Sequence, residues 1–184
     1  MNEYRTFMWE LPFYNHTHLY NNTIFWCWLQ GIKNIPYLSR ACLFSLIRNC
    51  KNYHVIIITE KNMNNYIHFP QYILYKYKKK YISRTHFSDL LRLELLIKYG
   101  GTWIDSTVLI TKYNKSFFLN DLFFFQNIKS KKFSGSNWFL TSEKESPILR
   151  TTLDLLYEYW RKNNYICHYF LFHFFFFRIS SENI

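Results

Sequence analysis

Apolar runs alternate with helical patterns in the first part of the chain. The segment Thr23–Gly31, TIFWCWLQG, is rich in β-branched and aromatic residues and ends at a glycine, which predicts a strand. Residues 34–50 carry apolar side chains at helical spacing, with Pro36 suited to the first helical position, and predict a helix. Residues 53–60, YHVIIITE, predict a strand covered on both faces. Strand, helix and strand in this order predict a parallel sheet.

A longer helical pattern follows. It is expected to begin at Ser88, a residue type that caps helix N-termini, and to end at Gly100, a residue type that caps C-termini. The apolar positions between them predict a wide buried stripe, and Glu94 and Lys98 are expected to pair on the open side. Residues 102–111, TWIDSTVLIT, predict a return to strand.

The remaining segments are less regular. Residues 61–81 are polar and mixed and predict short helices, whereas residues 134–142, SGSNWFLTS, predict a strand or an ordered loop. Residues 146–162 predict a helix capped by Ser146. Its expected buried face consists of Ile148, Leu155, Leu156 and Tyr159. Residues 169–177, YFLFHFFFF, are too short to span a bilayer and predict either a buried element or a membrane-facing patch.

The length of 184 residues and the hydrophobic share of 49% predict one folded domain with a sizeable core. We expect a loose N-terminal arm at residues 1–22, an α/β domain at residues 23–177 and a polar tail at residues 178–184. The four cysteines have no metal-ligand spacing and are expected to be reduced thiols of a cytoplasmic protein. No signal peptide or membrane span is expected.

The formal net charge of +11 predicts attraction to anions, which include nucleic acid, anionic lipid and phosphorylated small molecules. The densest basic cluster is YKYKKKY, residues 75–81. It fits a nucleic-acid-binding surface and equally fits a helix surface whose lysine stems cover apolar neighbours. Charge alone does not choose between these interpretations.

Three charged residues lie in an otherwise apolar region. In an alternating α/β sheet, ligands bind beyond the carboxyl ends of the strands, and the sequence places Asp105 near such an end. Asp89 and Arg92, expected on the first turn of a helix, can point at the same crevice. Such carboxylates can hold a hard divalent cation that bridges substrate phosphates. Asp89 can alternatively bind a ribose or base, and a simple ion pair between Asp89 and Arg92 is a third interpretation.

The segment SDLLRLELLIKYGGTWIDST, residues 88–107, closely resembles the signature of the capsular polysaccharide synthesis proteins, bacterial glycosyltransferases related to the DxD-containing sugar transferases. Further blocks resemble the same family, and the resemblance covers residues 23–177. These blocks are IFWCWLQGIKNIP, FPQYILYKYKKKYISRTHFSD, SNWFLTS, LLYEYWRKNNY and YFLFH. The resemblance implies a GT-A-like, Rossmann-like fold with a mostly parallel sheet flanked by helices. It also implies a nucleotide-diphospho-sugar donor and a Mn²⁺ or Mg²⁺ cofactor.

The resemblance assigns roles to individual residues. Asp105 matches the first acid of the metal and diphosphate motif and is the expected catalytic residue. Asp89 and Arg92 match the nucleotide-side pair. Gly100 and Gly101 match the turn that lets the backbone approach the sugar nucleotide.

Four further residues complete the expected site. Trp26 and Trp28 stand where an aromatic ring can stack on the base, although core packing explains each equally well. Related transferases carry a second acid where this chain has Thr107, so a weaker metal site is expected, with the metal held mostly by the diphosphate. His173 of YFLFH is the expected helper ligand, and its alternative is a histidine packed in the core.

The expected function is sugar transfer to a capsular or other surface-polysaccharide acceptor, either a glycan or a lipid-linked glycan. The protein is expected to be a cytoplasmic hexosyltransferase, peripheral at the inner face of the plasma membrane, without a nucleic-acid partner. The chain ends soon after YFLFH, so relative to the family a C-terminal truncation is expected. The alternatives are an inactive transferase-like binding protein and a basic nucleic-acid-binding protein.

Overall fold

The computed structural model describes residues 22–126 and 135–182, so nearly all of the predicted N-terminal arm lies outside the described residues. The described residues form a five-stranded sheet with helices on both faces. The strands are β1 (Thr23–Cys27), β2 (His54–Ile58), β3 (Gly101–Ile104), β4 (Leu122–Gln126) and β5 (Gly135–Ser142). The helices are α1 (Tyr37–Asn49), α2 (Gln71–Lys78), α3 (Arg84–Tyr99), α4 (Pro147–Lys162) and α5 (Leu171–Glu182).

The sheet has the strand order β2-β1-β3-β5-β4. Strand β1 pairs in parallel with β2, as predicted, and also in parallel with β3, whereas β5 pairs antiparallel with β3 and with β4. The sheet is therefore mixed, although the α/β class and the flanking helices are confirmed. Antiparallel neighbours need no crossover helix, and the described part of the chain between β3 and β5 contains no α-helix.

The sheet separates two apolar cores, because successive side chains of a strand point to opposite faces. Phe25 of β1 packs on the face covered by α3, α4 and α5. Its neighbours Ile24 and Trp26 pack on the other face with Leu43 and Leu46 of α1. A sheet buried on both faces explains why the first strands are apolar runs without alternation.

Helix α3 begins earlier than the sequence predicts. Its N-terminal cap is Ser83, whose side chain accepts a hydrogen bond from the backbone nitrogen of His86 at 3.3 Å. Ser88 lies inside the helix, where its hydroxyl donates to a carbonyl of the preceding turn at 2.7 Å. A serine can satisfy its hydroxyl inside a helix in this way, so the predicted cap was wrong. Asp89 and Arg92 consequently lie beyond the first turn.

The other end of α3 has one confirmed and one wrong prediction. Gly100 caps the helix with a positive φ of 68°. Glu94 and Lys98, by contrast, make separate contacts instead of the predicted pair. Lys98 Nζ donates to the Tyr66 carbonyl at 2.5 Å, and Glu94 Oε1 accepts from the Tyr157 hydroxyl at 2.5 Å.

Strand β3 is shorter than predicted. It ends at Ile104, and a turn follows in which the Val108 nitrogen donates to the Asp105 carbonyl at 3.1 Å. The apolar residues after the turn have strand-forming side chains but no strand partner among the described residues. Strand β4 was missed because the pattern around it is weak, while the segment SGSNWFLTS is confirmed as strand β5.

For the last two helices, the predicted positions in the sequence agree with the structure better than the predicted buried residues do. Helix α4 has Ser146 at its N-cap and a proline at its first position, as expected. Its buried face is shifted from the predicted one, with Leu156 the only apolar residue common to both. The buried residues are Leu149, Thr152, Leu153, Leu156 and Trp160. Helix α5 is a buried element in part, since Phe172 and Phe176 are almost inaccessible, and it continues through residues 178–182 of the expected polar tail. No helix within the described residues is both long and apolar enough to cross a membrane.

Candidate active site

A cleft of about 440 Å³ opens at one edge of the sheet, where β1 and β3 end and β5 begins. From β1 the chain crosses to β2 on one side of β1, and it later returns to β3 on the other side of β1. The direction of the strand order therefore reverses at β1. In open α/β sheets such a reversal creates the crevice in which ligands bind. The cleft volume is within the range typical of small-molecule sites.

Arg92 lies at the floor of this cleft between two acids. Its Nη2 atom is 3.3 Å from Asp89 Oδ1 and 3.3 Å from Asp105 Oδ1. Its Nη1 atom donates to the Asn137 carbonyl at 2.6 Å. The guanidinium carbon lies 5.1 Å from the ring centre of Trp103 and 5.6 Å from that of Phe172. The predicted ion pair with Asp89 and the predicted convergence with Asp105 are thus both present.

Asp89 is the buried member of this cluster. Its Oδ1 atom accepts a hydrogen bond from Asn137 Nδ2 at 2.9 Å. Burial raises the pKa of Asp89 to about 7, although the adjacent Arg92 opposes the increase. One arginine is shared between two carboxylates, so Asp89 gains only part of the stabilisation that a dedicated partner would provide.

Asp105 is the accessible member, with 33% of its side chain exposed. Its Oδ1 atom accepts hydrogen bonds from Trp103 Nε1 at 2.6 Å and from Arg92 Nη2 at 3.3 Å. Its backbone nitrogen donates to the Trp138 carbonyl at 2.8 Å. Among the described residues, no hydrogen bond reaches its Oδ2 atom. Asp105 therefore has one oxygen that fixes its orientation and a second that can bind a ligand.

Of the remaining predicted residues, some line the cleft and others lie elsewhere. Trp28 lines the cleft, half-buried, with Nε1 donating to the Asn34 carbonyl at 3.1 Å. Trp26 is 0% exposed and lies in the core, where it presents no ring face to a ligand. Thr107 is exposed and does not line the cleft, whereas the neighbouring Ser106 does.

Gly100 and Gly101 lie at the opposite end of β3 from Asp105. A Cβ atom on Gly101 would lie 2.5 Å from the Thr23 carbonyl oxygen, and one on Gly100 would lie 2.9 Å from the Lys144 nitrogen. Both residues also have positive φ angles. Close backbone packing between β3 and its neighbours accounts for the two glycines.

The cleft offers few ligands to a divalent metal. His173 lines it, and burial together with the nearby Arg92 lowers the pKa of His173 to about 4, so the imidazole is neutral at neutral pH. Within the described ranges, no three His, Cys, Asp or Glu side chains are grouped as a metal site. A hard cation takes six or more oxygen ligands, which Asp105 and His173 do not supply. These residues fit a metal that enters with a diphosphate and do not fit one held by the protein alone.

Sequence reasoning missed two residues that support the charged cluster. Trp103 fixes Asp105, and Asn137 contacts both Asp89 and Arg92 from 48 and 45 residues away. Both residues lie in sequence blocks that resemble the family, and this resemblance is the signal that could have identified them.

The basic cluster YKYKKKY is only partly a solvated surface. Lys76 is buried, and its Nζ atom donates to the carbonyl of Trp160 and, at 2.8 Å, to that of Asn163. It thereby satisfies carbonyls at the C-terminus of α4. Lys78, Lys79 and Lys80 remain exposed.

Comparisons with known proteins bear on the family and the fold of the chain. A family profile described as capsular polysaccharide synthesis protein matches residues 2–183. Five solved chains match the structure. One of them, titled PaToxG Glycosyltransferase, has a TM-score of 0.58 and 18% identity, over 89% of this chain and 68% of that chain. At this identity the similarity demonstrates the fold alone. No curated protein matches the sequence.

Proposed function

The chain belongs to the capsular polysaccharide synthesis protein family, and on that premise we propose that it is a nucleotide-sugar-dependent glycosyltransferase of the hexosyltransferase type. It moves a sugar from a nucleotide-diphospho-sugar donor to a capsular or other surface-polysaccharide acceptor, either a glycan or a lipid-linked glycan. The family and the fold shared with a glycosyltransferase support this role. The observation that carries the proposal is Asp105, fixed through one oxygen at the floor of the cleft.

The reaction breaks the bond between the anomeric carbon and a diphosphate oxygen, which leaves with the electron pair, and forms a bond to an acceptor hydroxyl oxygen, whose proton passes to the leaving diphosphate. Asp105 positions the diphosphate end of the donor. Arg92 holds Asp105 in place and, with Arg84 at the cleft wall, offsets negative charge near the leaving group. Because the cluster is preformed, little reorganisation accompanies donor binding.

Mn²⁺ or Mg²⁺ is the proposed cofactor, and it enters with the donor. Asp105 Oδ2 and the neutral His173 would hold it, and the donor diphosphate and water would complete its coordination. When bound, the ion neutralises charge that develops on the leaving diphosphate. The number of protein ligands predicts weak metal binding in the absence of nucleotide.

The net charge of +11 supports a peripheral position at the cytoplasmic face of the membrane. A basic surface attracts the anionic donor and also anionic lipid, where a lipid-linked acceptor would be found. Phosphatidylglycerol vesicles should therefore retain the protein at low ionic strength and release it at high ionic strength.

Thermal shift measurements with UDP-, GDP-, CMP- and dTDP-sugars, each with and without Mn²⁺, test the donor site. One nucleotide class should raise the melting temperature in a metal-dependent manner. Asp105→Asn, which preserves the side-chain shape, should abolish the increase, and Asp154→Asn on the exposed face of α4 should preserve it. An unchanged response in Asp105→Asn would refute the site assignment, and no response to any donor would refute the proposed function.

A further inference from the structure

We propose that the acceptor is a glycan whose terminal pyranose ring stacks on Trp138 beside Asp105. The inference rests on the proposed function and names the chemical class of acceptor that the cleft recognises. Trp138 lines the cleft and is 39% exposed, which is unusual for so large an apolar ring. Neither the charged cluster nor the cores account for that exposure.

The sheet order divides the cleft into two sides. Asp105 follows the central strand β3, with the end of β1 on one side and the start of β5 on the other. In Rossmann-like sheets the nucleotide lies over the first parallel strands, which here is the side of Trp28 and Gln30. The bond that breaks must lie near Asp105. An acceptor that approaches this bond from the far side therefore meets β5 and the segment before α5.

Trp138 is held rigidly on that far side. One face of its ring stacks on Phe125, with ring centres 4.8 Å apart and an interplanar angle of 10°. Its carbonyl accepts the Asp105 backbone hydrogen bond at 2.8 Å, which fixes the two residues relative to each other. A ring with one face covered can offer the other to a ligand, and a pre-ordered ring loses little entropy when it binds.

A second aromatic surface lines the same side of the cleft. The Tyr169 carbonyl lies 3.2 Å from His86 Nε2, which ties this segment to α3. Phe170 packs edge to face on His173, with ring centres 5.3 Å apart. Tyr169 and Phe170 both line the cleft and both stay more than a third exposed. Two segments, each fixed by its own contacts, thus contribute aromatic rings to this side of the cleft.

These walls fit a pyranose better than a lipid chain. A pyranose ring presents a face of C–H groups that packs on an aromatic ring, while its hydroxyl groups at the edge need polar partners. Ser88 and Asn137 line the cleft beside the aromatic residues, together with the charged floor. An acyl chain would remove water from Asp105 Oδ2, which no hydrogen bond within the described residues reaches, and would supply no partner in its place, which is unfavourable.

Saturation-transfer difference NMR on the full chain tests the subsite, with methyl pyranosides of glucose, galactose, mannose and N-acetylglucosamine as probes. At least one pyranoside should receive saturation from the wild-type protein. Trp138→Ala should weaken its binding about tenfold. Trp138→Phe should preserve most of the signal because it retains a ring, as should Tyr37→Ala, a matched control at an exposed aromatic residue of α1.

Each measurement is repeated with saturating nucleotide diphosphate and Mn²⁺, and again with a saturating nucleotide sugar and Mn²⁺. A signal that persists and still depends on Trp138 supports an acceptor subsite, whereas displacement by a nucleotide sugar would assign the ring to the donor sugar and overturn the proposal. The proposal would also be overturned if no pyranoside gave a signal, or if the signal in Trp138→Ala equalled that of the wild type. Loss of vesicle binding in Trp138→Ala alone would assign the ring to lipid and would overturn the proposal as well. Nucleotide-induced thermal shifts, measured in parallel, report separately on the proposed function.

Discussion

Replacement of Gly101 by alanine distinguishes a packing role from a donor-binding role for this glycine. Gly101 has a φ of 95°, and the added Cβ would lie 2.5 Å from the Thr23 carbonyl oxygen of β1. Gly31 provides a matched control because it has a φ of 92° and no heavy atom within 4 Å of an added Cβ. The two substitutions therefore share the backbone strain and differ in the steric clash.

The structure sets the expected magnitudes. Backbone strain at such φ values costs about 1–3 kcal/mol, and this is the whole expected effect at Gly31. At Gly101 the Cβ meets backbone that β1 also uses to pair with β2, so the strands must separate. Overpacking of this kind adds about 1–3 kcal/mol. Gly101→Ala should then lose about 2–6 kcal/mol, the middle of which corresponds to roughly 10 °C in melting temperature for a chain of this size.

Urea and thermal unfolding followed by circular dichroism measure these losses, with nucleotide-induced thermal shifts recorded on the same samples. Equal losses for Gly101→Ala and Gly31→Ala would refute the steric argument. A stable Gly101→Ala variant that no longer responds to nucleotide would instead support a role for this glycine in the donor site. We expect Gly101→Ala to lose stability and to keep a nucleotide-induced thermal shift of normal size.

Three further predictions follow from buried groups. Lys76→Met should cost about 2–3 kcal/mol in urea unfolding because α4 loses its charged partner, whereas Lys78→Met, at an exposed position, should change stability by less than about 0.5 kcal/mol. The pKa of Asp89 is raised from 3.8 to about 7 in the folded chain, so its ionisation costs stability as pH rises, and the melting temperature of Asp89→Asn should increase relative to wild type between about pH 4 and pH 7. A constant difference would contradict the raised pKa. Burial raises the pKa of Cys27 to about 12, so a thiol reagent at neutral pH should label the exposed Cys167 first; equal labelling rates would show that the thiol of Cys27 is not desolvated.

The sequence predicted those parts of the fold that depend on neighbouring residues. The cap at Gly100 and the start of α4 after Ser146 follow from neighbouring residues, and both positions were confirmed, although the Ser146 side chain makes no capping hydrogen bond. The end of β3 was not predictable in this way, because the apolar residues after Asp105 have the same strand propensity as those before it. Pairing with β5 stops at Ile104, and that is a property of another part of the chain.

In the candidate site, too, features set by neighbouring residues were predicted and features set by distant parts of the chain were not. The acids and Arg92 were predicted to converge because the strand end and the helix are close in sequence. Trp26 and Trp28 could not be told apart, since only the strand boundary decides which of the two packs in the core and which reaches the cleft. Asn137 contributes both its side chain and its carbonyl from β5, and no local pattern predicts contacts over such a separation.

The ring of Phe172 over Arg92 has a consequence for the order of events during synthesis. Helix α3, β3 and β5 leave the ribosome before α5, and at that stage one side of the guanidinium is open to water. Only when α5 docks is this cation fully desolvated and the cleft wall at Phe170 completed. A nascent chain that has not yet folded α5 therefore has the charged residues of the cleft without their final environment, and the cleft is complete only when the fold is complete.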